Sequence, residues 1–151
     1  MRGLPCRVAI VTLAAIAVAP VSFASDAKTH RIAIQIDQND PQVMNLALNN
    51  ATNIIDYYRT RNEDVEIDVV IYGPGLEMLR ADSSPMRERI KHLRETAPPG
   101  KLVFSVCNNT KMGVEKTEGH AVFILPDAAM VPSGVVHLMD LQEQGWSYVR
   151  P

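Results

Sequence analysis

Val65-Glu66-Ile67-Asp68-Val69-Val70-Ile71-Tyr72, closed by Gly73-Pro74-Gly75, is the stretch on which the fold turns. Its β-branched content is nearly continuous and the two acids intervene only early, so it predicts a strand covered on both faces. Such strands belong to parallel sheets flanked by helices. The Gly-Pro-Gly triplet ends the strand abruptly.

Upstream, Arg31 to Asp37 runs Arg-Ile-Ala-Ile-Gln-Ile-Asp, apolar along one face, and reads as another strand. After the turn Asp37-Gln38-Asn39-Asp40, Pro41 takes a first helical position with Asp40 as N-cap. Met44, Ala47, Leu48, Ala51, Ile54, Ile55 and Tyr58 then recur at the three-and-four spacing of a long amphipathic helix.

Downstream, Leu76 to Arg80 predicts a short helical turn. A helix begins near Ser84-Pro85, carries Met86, Ile90, Leu93 and Ala97 on one face, and stops at Pro98-Pro99-Gly100. Lys101 to Val106 is a third strand, with Cys107 at its exit. Asn108 to Gly119 predicts a short capped helix that Gly113 weakens, and His120 to Leu125 has the composition of a strand. Ala129 to Val131 predicts a short strand. Ser133 caps a helix through Val135, Leu138, Met139 and Gln142, which Gly145 stops, and Trp146 to Val149 is a last strand at the sheet edge. Strands alternating with helices give an α/β fold, a parallel sheet of about five strands with helices on both faces.

The chain has 151 residues, 15 Lys+Arg against 17 Asp+Glu, and 46% apolar residues. That is enough for one packed domain and too apolar for wholesale disorder. No basic cluster stands out, which argues against a nucleic-acid partner. At the start, Arg2 and Arg7 precede the uncharged run Val8 to Ala19, and Ser22 and Ala24 supply small side chains at a peptidase site. This is the pattern of a secretory signal peptide over residues 1–24, cut after Ala24, and the run is shorter than the roughly 20 residues a membrane span needs. The expected product is a periplasmic or secreted domain over residues 25–151, with no membrane association after cleavage. Cys6 leaves with the signal. Losing two arginines and no acid takes the net charge from −2 to −4.

Cys107 is then the one remaining cysteine, so no intramolecular disulfide can form. Three roles stay open for it: a buried inert thiol, a bond to another chain, or a thiol kept for chemistry. Cys107 precedes Asn108, Asn109 and Thr110 at a predicted helix N-terminus, where free N–H groups and the helix dipole favour a thiolate. Lys111, one turn on, adds a cation. A thiolate there can attack the terminal sulfur of a donor and carry it as a persulfide; the alternative is a cysteine packed as a small hydrophobe.

Other motifs are weaker. The Asp37 to Asp40 turn lacks the glycine and distal acid of a calcium loop. Gly73-Pro74-Gly75 is no phosphate loop; it reads as a backbone turn, or as a close approach of Gly73 and Gly75 to a ligand beside Cys107. His30, His92, His120 and His137 show no metal-ligand spacing; His92 and His137 read as solvated or satisfied helix residues, and His120 is the one candidate base for the thiol. No cofactor motif occurs.

The order of features resembles the DsrE/DsrF-like family. The resemblance rests on Tyr72-Gly73-Pro74-Gly75-Leu76, the run Val103 to Thr110 with its Ser105-Val106-Cys107-Asn108-Asn109, then Val131-Pro132-Ser133-Gly134-Val135 and the ending Leu141 to Pro151. It spans essentially the whole expected mature chain. It implies a three-layer α/β/α fold with a five-stranded parallel core, assembly into trimers or hexamers, and a sulfur-carrying cysteine after the third strand, a position that falls on Cys107. Two departures stand out. Relay members are cytoplasmic, whereas this chain carries an export signal, and Tyr72 stands where the resemblance leads one to expect His. The expected function is an exported sulfur carrier whose partners are sulfur donor and acceptor proteins or small sulfur species, with Asn108, Asn109 and Lys111 stabilising the sulfur anion. The competing expectations are an oligomeric small-ligand-binding module in which Cys107 is only packed, and an interaction protein joined to another chain through Cys107.

Overall fold

The computed structural model describes residues 29–126 and 128–151. The expected export signal and Cys6 lie outside the described residues. The elements run β1 (His30–Ile36), α1 (Pro41–Thr60), β2 (Val65–Ile71), a 3-10 segment (Gly73–Leu79), α2 (Arg87–Thr96), β3 (Leu102–Cys107), α3 (Asn108–Glu118), β4 (Ala129–Val131), α4 (Gly134–Glu143) and β5 (Ser147–Val149). All strand pairings are parallel, in the order β4-β3-β2-β1-β5. The chain is therefore an α/β protein with helices on both sides of one five-stranded sheet.

Alternate residues of the strands feed two cores of unequal size. Ile32, Ile34 and Ile36 of β1, Ile67, Val69 and Ile71 of β2 and Phe104 of β3 join the larger core, with Met44, Leu48 and Ile55 of α1 and Ile90 and Leu93 of α2. Val114 of α3 packs against that core as well. The opposite face carries a small cluster, Ala33, Val70, Leu138 and Leu141, flanked by Tyr72 and Trp146, under α4 alone. Gln35, Asp68 and Ser105 are the buried polar residues of that thinner layer.

The winding explains the split. From β1 to β4 each step moves outward across the sheet, and right-handed crossovers put α1, α2 and α3 on one face. From β4 the chain returns to the far edge at β5, so its crossover helix α4 lands on the other face. The winding reverses between β3, followed by α3, and β4, followed by α4. That is a topological switch point, where open α/β sheets bind their ligands.

Two local outcomes differ from sequence expectation, and one expected helix forms in spite of its glycine. The helical turn after Gly73 begins at the glycine itself and runs as a 3-10 segment. Gly75 lies against β1, where an added Cβ would stand 2.5 Å from the Ile36 carbonyl oxygen. The helix α3 is complete despite Gly113, because Cys107 caps its start, Lys111 pairs with Glu115 one turn on, and Gly119 closes it at φ 77°. The segment His120 to Leu125 adds no strand to the sheet. Its backbone is engaged elsewhere, with the Leu125 N–H donating to the Leu79 carbonyl at 2.8 Å and the Ala81 N–H to the Phe123 carbonyl at 2.7 Å.

Candidate functional site at the carboxyl edge of the sheet

Cys107 ends β3 beside Val131 of β4, its register partner, and so stands at the switch point. Two helices begin there. The sulfur itself caps α3, accepting the Thr110 backbone N–H at 3.4 Å. Gly134, the first residue of α4, lies against the same cysteine, and its backbone N–H and that of Asn109 favour the sulfur anion. The Asn109 N–H additionally meets the Pro132 carbonyl oxygen at 3.3 Å, tying the two helix starts together.

Thr110 contributes a side-chain donor too. Its hydroxyl oxygen accepts the Gly73 backbone N–H at 2.9 Å, which directs the hydroxyl proton toward Cys107. Gly73 holds φ at +55°, the left-handed region that a glycine enters without strain. It thus serves the site through its backbone. Gly75 serves packing against Ile36 instead.

Cys107 is only 5% exposed. Burial is the largest single influence on the thiol and opposes its ionisation. The Thr110 hydroxyl and the N–H groups of Gly134, Thr110 and Asn109 outweigh burial together, so the thiol titrates below its ordinary range. The positive ends of two helix dipoles act in the same direction. An apolar pocket for a packed thiol has no need of such donors.

Two expected contributors do something else. The Lys111 ammonium does not provide the cation beside the sulfur; it pairs with Glu115, whose carboxylate also accepts the Val122 N–H at 3.0 Å. The Asn108 amide reaches the Met112 sulfur at 3.3 Å, and Asn109 acts on Cys107 through its backbone alone. His120 follows the C-terminal end of α3 whereas Cys107 caps the N-terminal end, roughly 16 Å of helix away at 1.5 Å per residue. Its ring meets Glu118 and the Ala121 carbonyl. It is not the base for this thiol.

Residues without a motif complete the surroundings. Gly134 packs so closely that an added Cβ would stand 2.9 Å from the Cβ of Tyr72 and 3.2 Å from that of Cys107. Tyr72 is half-buried, and burial followed by the Asp37 and Tyr148 charges holds its phenol above the ordinary range. Further under α4, the Asp68 carboxylate accepts the Ser105 hydroxyl at 3.0 Å and meets the His137 Nε2 at 2.8 Å. Its other oxygen, Oδ1, is buried without a partner. An acid in the middle of an apolar strand was the available signal, because a buried carboxylate calls for a partner.

A groove of about 470 Å³ runs along Gly73, Pro74, Thr110, Gly113, Val114 and Thr117, and Cys107 is not among its lining residues. A second cleft of about 480 Å³ lies along α2, lined by Arg87, Ile90, Lys91, Leu125 and Pro126, on the opposite face of the sheet from α4. Among the described residues no group of three His, Cys, Asp or Glu is placed to hold a metal ion, and no helix is long and apolar enough to cross a membrane.

No family profile matches the chain, and no curated protein matches it. Among solved structures it is similar to a protein of unknown function from Methanobacterium thermoautotrophicum. The two share 29% identity and a TM-score of 0.67, and the match covers 81% of this chain and 99% of that one.

Proposed function

We propose that the protein is an exported carrier of sulfane sulfur acting through Cys107, as the resemblance to DsrE/DsrF-like proteins implies. The Cys107 thiolate attacks the terminal sulfur of a persulfide or thiosulfonate donor. A new S–S bond forms, the donor's S–S bond breaks, and the donor leaves as a thiolate or sulfinate. The attached sulfur, ionised as a persulfide anion, then passes to a thiolate acceptor and Cys107 is regenerated. The observation that carries this reading is the convergence of two helix starts and the Thr110 hydroxyl on one sulfur.

The same reading takes the chain to be periplasmic or secreted and to work as a homo-oligomer, a trimer or hexamer. Val135, Val136 and Met139 of α4 are exposed, as are Val103 and Tyr148 on the sheet face that α4 only partly covers. An apolar patch of this kind is typical of a protein contact.

The burial of Cys107 favours a second reading, an oligomeric small-ligand-binding module in which the thiol is only packed. Intact-mass measurement after incubation with a sulfane-sulfur donor separates the two. The carrier gains one sulfur atom, removed by a thiol reductant, and the Cys107→Ser variant gains none. A wild-type protein that gains nothing from several donors, and whose thiol labels only after denaturation, has a packed cysteine.

A further inference from the structure

The start of α4 packs hard against Tyr72 and Cys107 at Gly134, yet little apolar packing secures this helix. Its buried side chains are Leu138 and Leu141, in a cluster of four buried residues. Against the other face, α1 alone buries five side chains. The polar tie from α4 to the sheet is the His137 ring on Asp68, at 2.8 Å. His137 lies one turn beyond Gly134, and its own N–H closes the first turn on the Ser133 carbonyl at 3.0 Å.

We infer that the His137–Asp68 hydrogen bond is a positioning contact, setting α4 in the register at which its first backbone N–H faces the Cys107 sulfur. Three features give the contact that reach. Asp68 is fixed in the middle of β2, between Ala33 and Val103 in register, and the Ser105 hydroxyl holds the same oxygen that His137 meets. Its second oxygen is unpartnered, so His137 and Ser105 carry the whole compensation of a buried carboxylate. Finally, Gly134 touches both Tyr72 and Cys107, so the helix start has no slack in which to absorb a shift of α4. A loosened α4 withdraws one donor from the sulfur and leaves those of α3 in place.

The inference rests on the carrier reading for its purpose, but its geometry is testable without any sulfur transfer. The rate of Cys107 alkylation is measured against pH in native wild type, His137→Ala and His137→Gln, with near-UV circular dichroism confirming the native fold. Around the thiol, α3 carries Lys111, Glu115, Lys116 and Glu118, α4 carries His137, Asp140 and Glu143, the 3-10 segment carries Glu77, and β2 carries Glu66 and Asp68 with Tyr72 at its exit; the variants change His137 alone. His137→Ala raises the labelling midpoint and slows labelling at a fixed pH below it by roughly tenfold, as loss of one donor to an anion does. His137→Gln retains an amide donor near the Nε2 position and keeps labelling near the wild-type rate. A folded His137→Ala with the wild-type midpoint overturns the inference, and so does an equal rise in both variants. Should His137→Ala not fold, the double variant Asp68→Leu/His137→Leu, which strands no buried charge, is measured against the same criterion. A protein that shows the expected midpoints but takes up no sulfur keeps the positioning contact and loses the carrier reading.

Discussion

Gly134 and Cys107 meet so closely that a Cβ on the glycine would lie 3.2 Å from the cysteine Cβ, with Tyr72 atoms at 2.9 and 3.0 Å. Nothing larger than hydrogen fits between the Gly134 backbone and the Tyr72 and Cys107 side chains. Gly134→Ala must therefore lift the start of α4 off the sheet, at a cost of about 1–3 kcal/mol in denaturant unfolding. It also raises the pH at which Cys107 becomes reactive, because the N–H of residue 134 retreats from the sulfur. A variant as stable and as reactive as wild type contradicts the close approach.

The lowered thiol range fixes the sign of a pH effect. A group that ionises more readily folded than unfolded adds stability above its unfolded value and loses it as pH falls through its folded value. Wild type should therefore gain stability over Cys107→Ser as pH rises from its native midpoint toward about 8.5, the unfolded thiol value, and the difference should level off above it. Parallel urea titrations of both proteins across that window read this directly. A difference that shrinks with rising pH means that burial, not the donors, governs the thiol.

Thr110 both accepts from Gly73 and donates toward Cys107. Replacement by Val preserves the shape, strands the Gly73 N–H and costs about 1–3 kcal/mol. Thr110→Ser keeps the hydroxyl and most of the stability. Alkylation follows the same order, with the midpoint raised in Thr110→Val and near wild type in Thr110→Ser.

Gly75 gives a control that donates nothing to the thiol. A Cβ there meets the Ile36 carbonyl oxygen at 2.5 Å, and a strand carbonyl that already accepts the Tyr72 N–H cannot yield as a flexible side chain can. Gly75→Ala is expected to lose at least 1–3 kcal/mol of stability, the range of ordinary overpacking. In whatever fraction remains folded, the Cys107 labelling midpoint is unchanged. A shifted midpoint ties Gly75 to the sulfur after all.

The strands were legible because each is an apolar run bounded by a turn signal, and the exit of β3 alone places Cys107 at the carboxyl edge. The residues that surround the sulfur were less so. Asp68 and His137 are 69 positions apart and share no local spacing, so only the crossover of α4 over β2 brings them together. Gly134 reads as a glycine beside a serine cap, and its contact with Cys107 depends on where the winding reverses. Lys111 misled for a local reason: a glutamate four residues on competes for its charge, and an i,i+4 pair on one helix forms at less cost than a reach to a buried sulfur. His120 to Leu125 has strand composition, and its buried Val122 and Leu125 do enter the core, but the end of the 3-10 segment takes its backbone bonds.

The outermost strands, β4 and β5, are three residues long apiece. Rims so brief offer scarcely any open ladder to a foreign strand, which guards against fibre-like, edge-to-edge growth.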